Sequence, residues 1–232
     1  KARNMQTILG PFHPYLEDAL VTEILRHKQD DLLKPILIVV PSDALRRRIK
    51  TLCARERGLA LLNVQMLTFY QLSLRLYGES HLALPLPLPR DDLFLEEALR
   101  QIIRTRQPGA EPFAGIEDRV GGCAALWQTL RDLRDGLVDP AVALEALGEG
   151  HFSARASQRT KDLLILLQTQ LRFCRDKAIA DQSDLDKSAT ERAPNSTFLK
   201  LFAQIFYYGF YDLTQIQVDF FHAVAKTLPT TL

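Results

Sequence analysis

Residues 36–40 read Ile-Leu-Ile-Val-Val, five apolar positions in a row and mostly β-branched. A strand with one wet face alternates apolar and polar residues, so an unbroken run reads as a strand covered on both faces. The run stops at Pro41-Ser42-Asp43, and Ala44 to Glu56 continues as a helical pattern with Ser42 or Asp43 as its expected N-cap. The same order recurs on either side. Gln6 to Leu9 is a short apolar run ending at Gly10-Pro11, and Leu16, Leu20 and Ile24 then follow at helical spacing behind His13-Pro14. Leu61 to Thr68 reads as a third strand and Phe69 to Tyr77 as a third helix. Three strand–helix units in succession predict an α/β fold with a parallel sheet flanked by helices.

The pattern changes after Tyr77. Leu82 to Pro89 alternates Leu with Pro and reads as an extended linker. Helical patterns follow at Asp91–Arg104, Ile116–Leu137, Pro140–Leu147 and Arg155–Cys174. Trp127 and Leu130 lie at helical spacing and read as packing residues. Ser183 to Thr197 is polar and reads as a mobile stretch. A short helix from Phe198 then leads into a strand near Ile205–Gly209. The expected organisation is an α/β core over residues 1–80, an all-helical insertion over 81–197, and a returning strand and helix of the core over 198–232.

Net charge is +1, so any surface for an anionic partner must be local. Cys53, Cys123 and Cys174 are odd in number and far apart, which argues against a disulfide framework or a zinc site and fits a reducing cytoplasm. The apolar runs are too short to span a bilayer, so no membrane partner is expected. The ends at Lys1 and Leu232 read as cuts within a longer protein.

Two segments carry a degenerate chemistry. A phosphate-binding loop needs Gly-x-x-x-x-Gly-Lys-Ser/Thr between strand and helix, so that backbone amides, an ammonium and a hydroxyl meet phosphate and magnesium. Gly10 stands at the first glycine, but Tyr15, Leu16 and Glu17 fall where the second glycine, the lysine and the hydroxyl belong. The plainer reading of these residues alone is a strand–turn–helix connection. The second segment, residues 206–217, reads Phe-Tyr-Tyr-Gly-Phe-Tyr-Asp-Leu-Thr-Gln-Ile-Gln.

That second segment resembles the second motif of superfamily I helicases, where a strand ends in Asp-Glu and continues toward Thr-x-x-x-Gln. Tyr208 and Gly209 occupy the two acidic positions, and Asp212 falls on the third. Ile36 to Lys50 resembles the family's second strand and helix, Leu67 to Leu72 its Thr-Phe-His-x-Phe segment, and Ile179 to Leu185 its Asp-Phe-x-Asp-Leu stretch. The combination looks most like the AddB/RexB type of subunit, the inactivated helicase-like halves of bacterial ATP-dependent helicase–nucleases. The resemblance implies a RecA-like core of P-loop NTPase type with an inserted helical subdomain. It implies a non-catalytic role in double-strand-break repair, with DNA and a motor subunit of the AddA kind as partners. It also implies no cofactor in this part of the chain. Magnesium and an iron–sulfur cluster belong, on the same resemblance, to a nuclease domain further along such proteins.

The degenerate nucleotide site is then Gly10, Tyr15, Leu16, Glu17, Tyr208, Gly209 and Asp212. The DNA-contact set is Ser42, Arg46, Thr68, Phe69 and Tyr70. Arg46 to Lys50 is a basic run, and its plainer reading is a solvated face balanced by Asp43 and Glu56. Phe69 reads equally well as a core residue. Asp181 and Asp184 read as capping and solvated residues ahead of a metal pair. Two other functions stay open: an active ATPase with a diverged site, and an interaction module that touches no DNA.

Overall fold

The computed structural model describes residues 5–79, 90–147 and 154–232. They divide into two compact units, one within Lys1–Leu82, Asp186–Leu213 and Gln217–Leu232, the other within Ala83–Leu185 and Thr214–Ile216. The expected linker at Leu82–Pro89 lies outside the described residues.

The first unit is built on five parallel strands: β1 (Met5–Gln6), β2 (Ile36–Val40), β3 (Val64–Thr68), β4 (Gln204–Tyr207) and β5 (Thr230–Thr231). Their order across the sheet is β1-β5-β4-β2-β3. In register, Ile36 pairs with Val64 on one side and with Gln204 on the other, while Ile205 and Met5 both pair with Thr230. The apolar run therefore holds an interior position, and all five of its residues are fully buried. Each such side chain contributes about 1.5–3 kcal/mol of transfer free energy.

The pleat sends alternate residues to two cores. Ile36, Ile38, Val40, Phe206 and Tyr208 pack with α1 (Glu17–Lys28) and α2 (Asp43–Thr51), the latter prolonged by a wide turn over Leu52–Glu56. Leu37, Val39, Ile205 and Tyr207 pack with α3 (Phe69–Tyr77) and with Phe220, Phe221 and Val224. Lys28 is buried at the end of α1, where its ammonium donates to the carbonyls of Leu32 and Lys34, both at 2.9 Å. Burial pushes its pKa down, and the carbonyls satisfy the charge that remains.

The second unit is helical: α4 (Asp92–Arg104), α5 (Gly122–Asp135), α6 (Pro140–Leu147), α7 (Ala154–Asp176) and the opening of α8 (Gln182–Arg192). Leu99, Ile102, Trp127, Leu130, Leu166 and Leu167 centre its core, and Trp127 donates its indole N–H to Asp92 at 3.0 Å. The last α-helix, α9 (Gln215–Ala225), carries Phe220, Phe221 and Val224.

Four expectations are corrected. The helix expected from Ile116 begins at Gly122, because Gly121 takes a left-handed φ of 73° and Val120 is exposed. Residues 183–197 are not a mobile stretch: they form α8 through Arg192 and a 3-10 turn, Ala193–Asn195. Several of its polar groups are buried and paired, with Ser183 donating to Asp135 at 2.7 Å and Asp186 accepting from Ser73 at 2.6 Å. The boundary between units consequently falls after Leu185, not after 197. Finally, the strand expected from Leu61 starts at Val64, after Asn63 takes a φ of 52°.

Candidate functional site

In open α/β sheets ligands bind outside the carboxyl ends of the strands, where neighbouring connections depart in opposite directions. Here the chain leaves β2 outward to β3 and leaves β4 the other way to β5, so β2 and β4 flank that point. The residues there are Pro41, Ser42 and Leu45 on one side and Tyr208 and Gly209 on the other. The crevice is filled. Gly209 has a φ of 80°, and a Cβ on it would lie 2.4 Å from Leu45 Cδ2. The Phe12 ring packs on Tyr208, with centroids 5.6 Å apart.

The turn from β1 into α1 is closed as well. The Tyr15 ring lies over Gly10, where a Cβ would meet Tyr15 Cδ1 at 2.2 Å. A phosphate loop would aim its first helical N–H groups at the ligand. Leu16 N–H instead donates to the Pro11 carbonyl at 3.1 Å, and Glu17 N–H turns to the carbonyls of Phe12 and Pro14.

Glu17 itself is only 3% exposed. Arg48 grips it with two bonds, Nε to Oε1 at 2.8 Å and Nη2 to Oε2 at 2.9 Å, and His13 Nδ1 lies 2.8 Å from Oε2. Arg48 also binds Glu56. The Arg48 guanidinium holds the Glu17 carboxyl below the usual glutamate range against the opposing effect of burial. Tyr208 sits beneath this pair. Burial first, and the Glu17 charge second, push its phenol pKa up, and its hydroxyl has no partner among the described residues. Under α1, between β1, β5 and β4, an apolar cavity of about 90 Å³ is lined by Ile8, Leu16, Ala19, Leu20, Phe206 and Leu232 among others. Leu9, Phe12 and Tyr15 are exposed, as is Tyr211. Asp212 is exposed in the loop after β4.

The β2–β3 half of the edge is built differently. Ser42 caps α2 by accepting from Leu45 N–H at 3.3 Å. Thr68 caps α3 by accepting from Gln71 N–H at 3.2 Å, while Gln71 Oε1 accepts from Thr68 N–H at 3.0 Å. Both hydroxyls act as acceptors and keep their O–H to donate. Arg46 ties the two turns together, bonding Asp43 at 2.9 Å and Gln71 Oε1 at 3.2 Å. Tyr70 is 44% exposed. Phe69 is corrected out of the base-stacking set: it is buried, with its ring 4.9 Å from that of Phe220.

Sequence reasoning missed Arg48, His13, Leu45 and Gln71. The Thr-x-x-Gln spacing of a capping box is a signal that could have found Gln71. Arg48 and Glu17 are 31 positions apart, and no local pattern joins them. Asp181 and Asp184 are less solvated than expected: each accepts the other's N–H at the start of α8, and both accept from buried Arg134, at 2.9 and 2.8 Å. Burial pushes the Asp181 carboxyl up to about 6. Among the described residues no group of three or more His, Cys, Asp or Glu side chains gathers as a metal site, and no helix is long and apolar enough to cross a membrane. All three cysteines are free and buried.

Compared with protein-family models and with curated proteins, the chain matches none.

Proposed function

We propose that this chain is a helicase-like domain of RecA type that keeps the parallel sheet and has no working nucleotide site. It serves as a DNA-contacting and partner-binding scaffold in a helicase–nuclease subunit of the AddB/RexB kind. A motor subunit of the AddA kind supplies ATP hydrolysis, and nuclease chemistry with its magnesium and iron–sulfur cluster belongs to the rest of such a protein.

The observation that carries this reading is the buried Glu17 carboxylate clasped by Arg48 at the start of α1. A carboxylate and its own arginine stand where a phosphate and its lysine would be needed, and the Tyr15 ring covers Gly10. Fold-level likeness alone licenses no function, so the weight rests on this site. The DNA contact is assigned to the other half of the edge, where the Ser42 and Thr68 hydroxyls and the Tyr70 ring are presented.

Two titrations test the reading. ATP with magnesium should give no saturable heat, and saturable magnesium-dependent binding would restore the ATPase alternative. Single-stranded DNA should bind with an affinity that falls steeply with salt. Absence of such binding would favour the interaction-module reading, which the exposed Leu9, Phe12, Tyr15 and Tyr211 side chains support.

A further inference from the structure

We propose that the outer face of α2 and its wide turn, through Arg47, Lys50 and Arg55, is the surface that grips the sugar–phosphate backbone of single-stranded nucleic acid. This rests on the DNA-contacting reading above and moves its electrostatic centre away from Arg46.

Six basic residues lie from Arg46 to Arg57, and three of them are already neutralised. Arg46 binds Asp43, Arg48 binds Glu17 and Glu56, and Arg57 binds Asp18. Those pairings engage Glu17 and Asp18 of α1, Asp43 of α2 and Glu56 of the turn. Arg47, Lys50 and Arg55 are exposed, and no ion pair or hydrogen bond engages their side chains among the described residues. They are the free positive charge of the segment.

Their placement suits a polyanion. Arg47 and Lys50 are three apart and share a helix face with Ala44, Thr51 and Ala54. Those small side chains let a backbone approach closely. From Arg47 to Arg55 is about 12 Å of helix axis at 1.5 Å per residue. That length spans about three or four phosphates at the roughly 3.4 Å per strand of duplex DNA, and fewer on an extended single strand. The N-terminal end of α2 is tied through Arg46 and Gln71 to the turn that presents Tyr70. A basic stripe beside an exposed aromatic ring is the combination that single-strand binders use, with charge tracking the backbone and the ring stacking on a base.

The test is a salt titration of labelled oligothymidylate against the wild-type chain and two charge-matched variants. One carries Arg47→Gln, Lys50→Gln and Arg55→Gln. The other carries Arg104→Gln, Arg106→Gln and Arg119→Gln, three exposed arginines of the helical unit. Each single-strand phosphate contact contributes about 0.7 to the slope of log affinity against log salt, so the first variant should be shallower than wild type by about 2. The second should keep the wild-type slope, and both should melt as wild type does. An unchanged slope in the first variant, with wild type binding normally, overturns this surface and leaves the DNA reading standing. Equal loss in both variants also overturns it, because net charge then suffices. No binding by wild type sinks the DNA reading and this surface with it. Competition by polyglutamate as strong as by oligothymidylate would replace the nucleic acid with an acidic protein.

Discussion

The two halves of the sheet's carboxyl edge follow one plan and reach opposite ends. Each half is a strand running into the N-terminus of a helix, the place where a parallel sheet displays unpaired N–H groups. On the β1–β4 side those groups are turned inward. Leu16 and Glu17 donate to carbonyls of their own turn, Arg48 neutralises Glu17, and Tyr15 and Leu45 cover Gly10 and Gly209. On the β2–β3 side Ser42 and Thr68 cap their helices with side-chain oxygens, and Tyr70 stays in solvent. Both halves spend helix-start N–H groups within the chain, but only the second leaves side-chain hydroxyls and an exposed ring at its mouth.

The largest break in this comparison comes from Phe69, which anchors the open half to the core. Phe69→Ala removes a buried ring stacked edge-on against Phe220 and should cost about 3–5 kcal/mol, read as a lowered denaturant midpoint. A loss below about 1 kcal/mol would mean the turn is held by its caps alone.

Next comes Gly209→Ala, aimed at the closed half. The added methyl meets Leu45 and the left-handed φ of 80° disfavours a side chain, so about 1–3 kcal/mol should be lost. In a Leu45→Ala background, where the clash is relieved, the same glycine change should cost only the backbone part. If Gly209→Ala costs as much in that background as in wild type, Leu45 does not plug the crevice.

The acid limb sharpens the comparison further. The folded pKa of Glu17 lies below the ordinary glutamate value of 4.5, so its stabilising effect is present above that value and is lost as pH falls through the lowered one. Glu17→Gln should therefore flatten the decline of stability below about pH 4.5. An acid limb as steep as wild type would show that Arg48 leans on Glu56 instead.

How much of this was legible in the chain follows from where each signal lives. Ile36–Val40 announced a strand covered on both faces, and it is fully buried, because a continuous apolar run has few other uses. The helix over Phe69–Tyr77 was read with its bounds intact, since Thr68 caps it and Gly78 follows it. β5 was invisible, for two threonines carry no period, and their burial depends on β1 and β4 closing on either side. Residues 183–197 misled because the polarity of Ser183 and Asp186 meant buried pairing and not solvation. At the site, the departures of Leu16, Glu17, Tyr208 and Gly209 from a phosphate-loop and acidic-pair pattern could be read from the sequence. What packs around them could not, because Arg48 reaches Glu17, and Leu45 reaches Gly209, only in three dimensions.

The smallest effect on stability is expected at Tyr70, next in sequence to the position with the largest. Its ring is 44% exposed, its neighbours Thr68 and Gln71 cap the helix without it, and Tyr70→Ala should change stability by no more than about 0.5 kcal/mol. Its proposed consequence is on binding. If the ring stacks on a base as proposed, its removal should weaken single-stranded DNA binding by about 1–3 kcal/mol, while the salt slope proposed for Arg47, Lys50 and Arg55 should stay as it was. Tyr70→Phe should bind as wild type does, because stacking needs the ring and not the hydroxyl. A Phe variant as weak as the Ala variant would assign the contact to the phenol oxygen, and an Ala variant of undiminished affinity would return Tyr70 to the solvated surface.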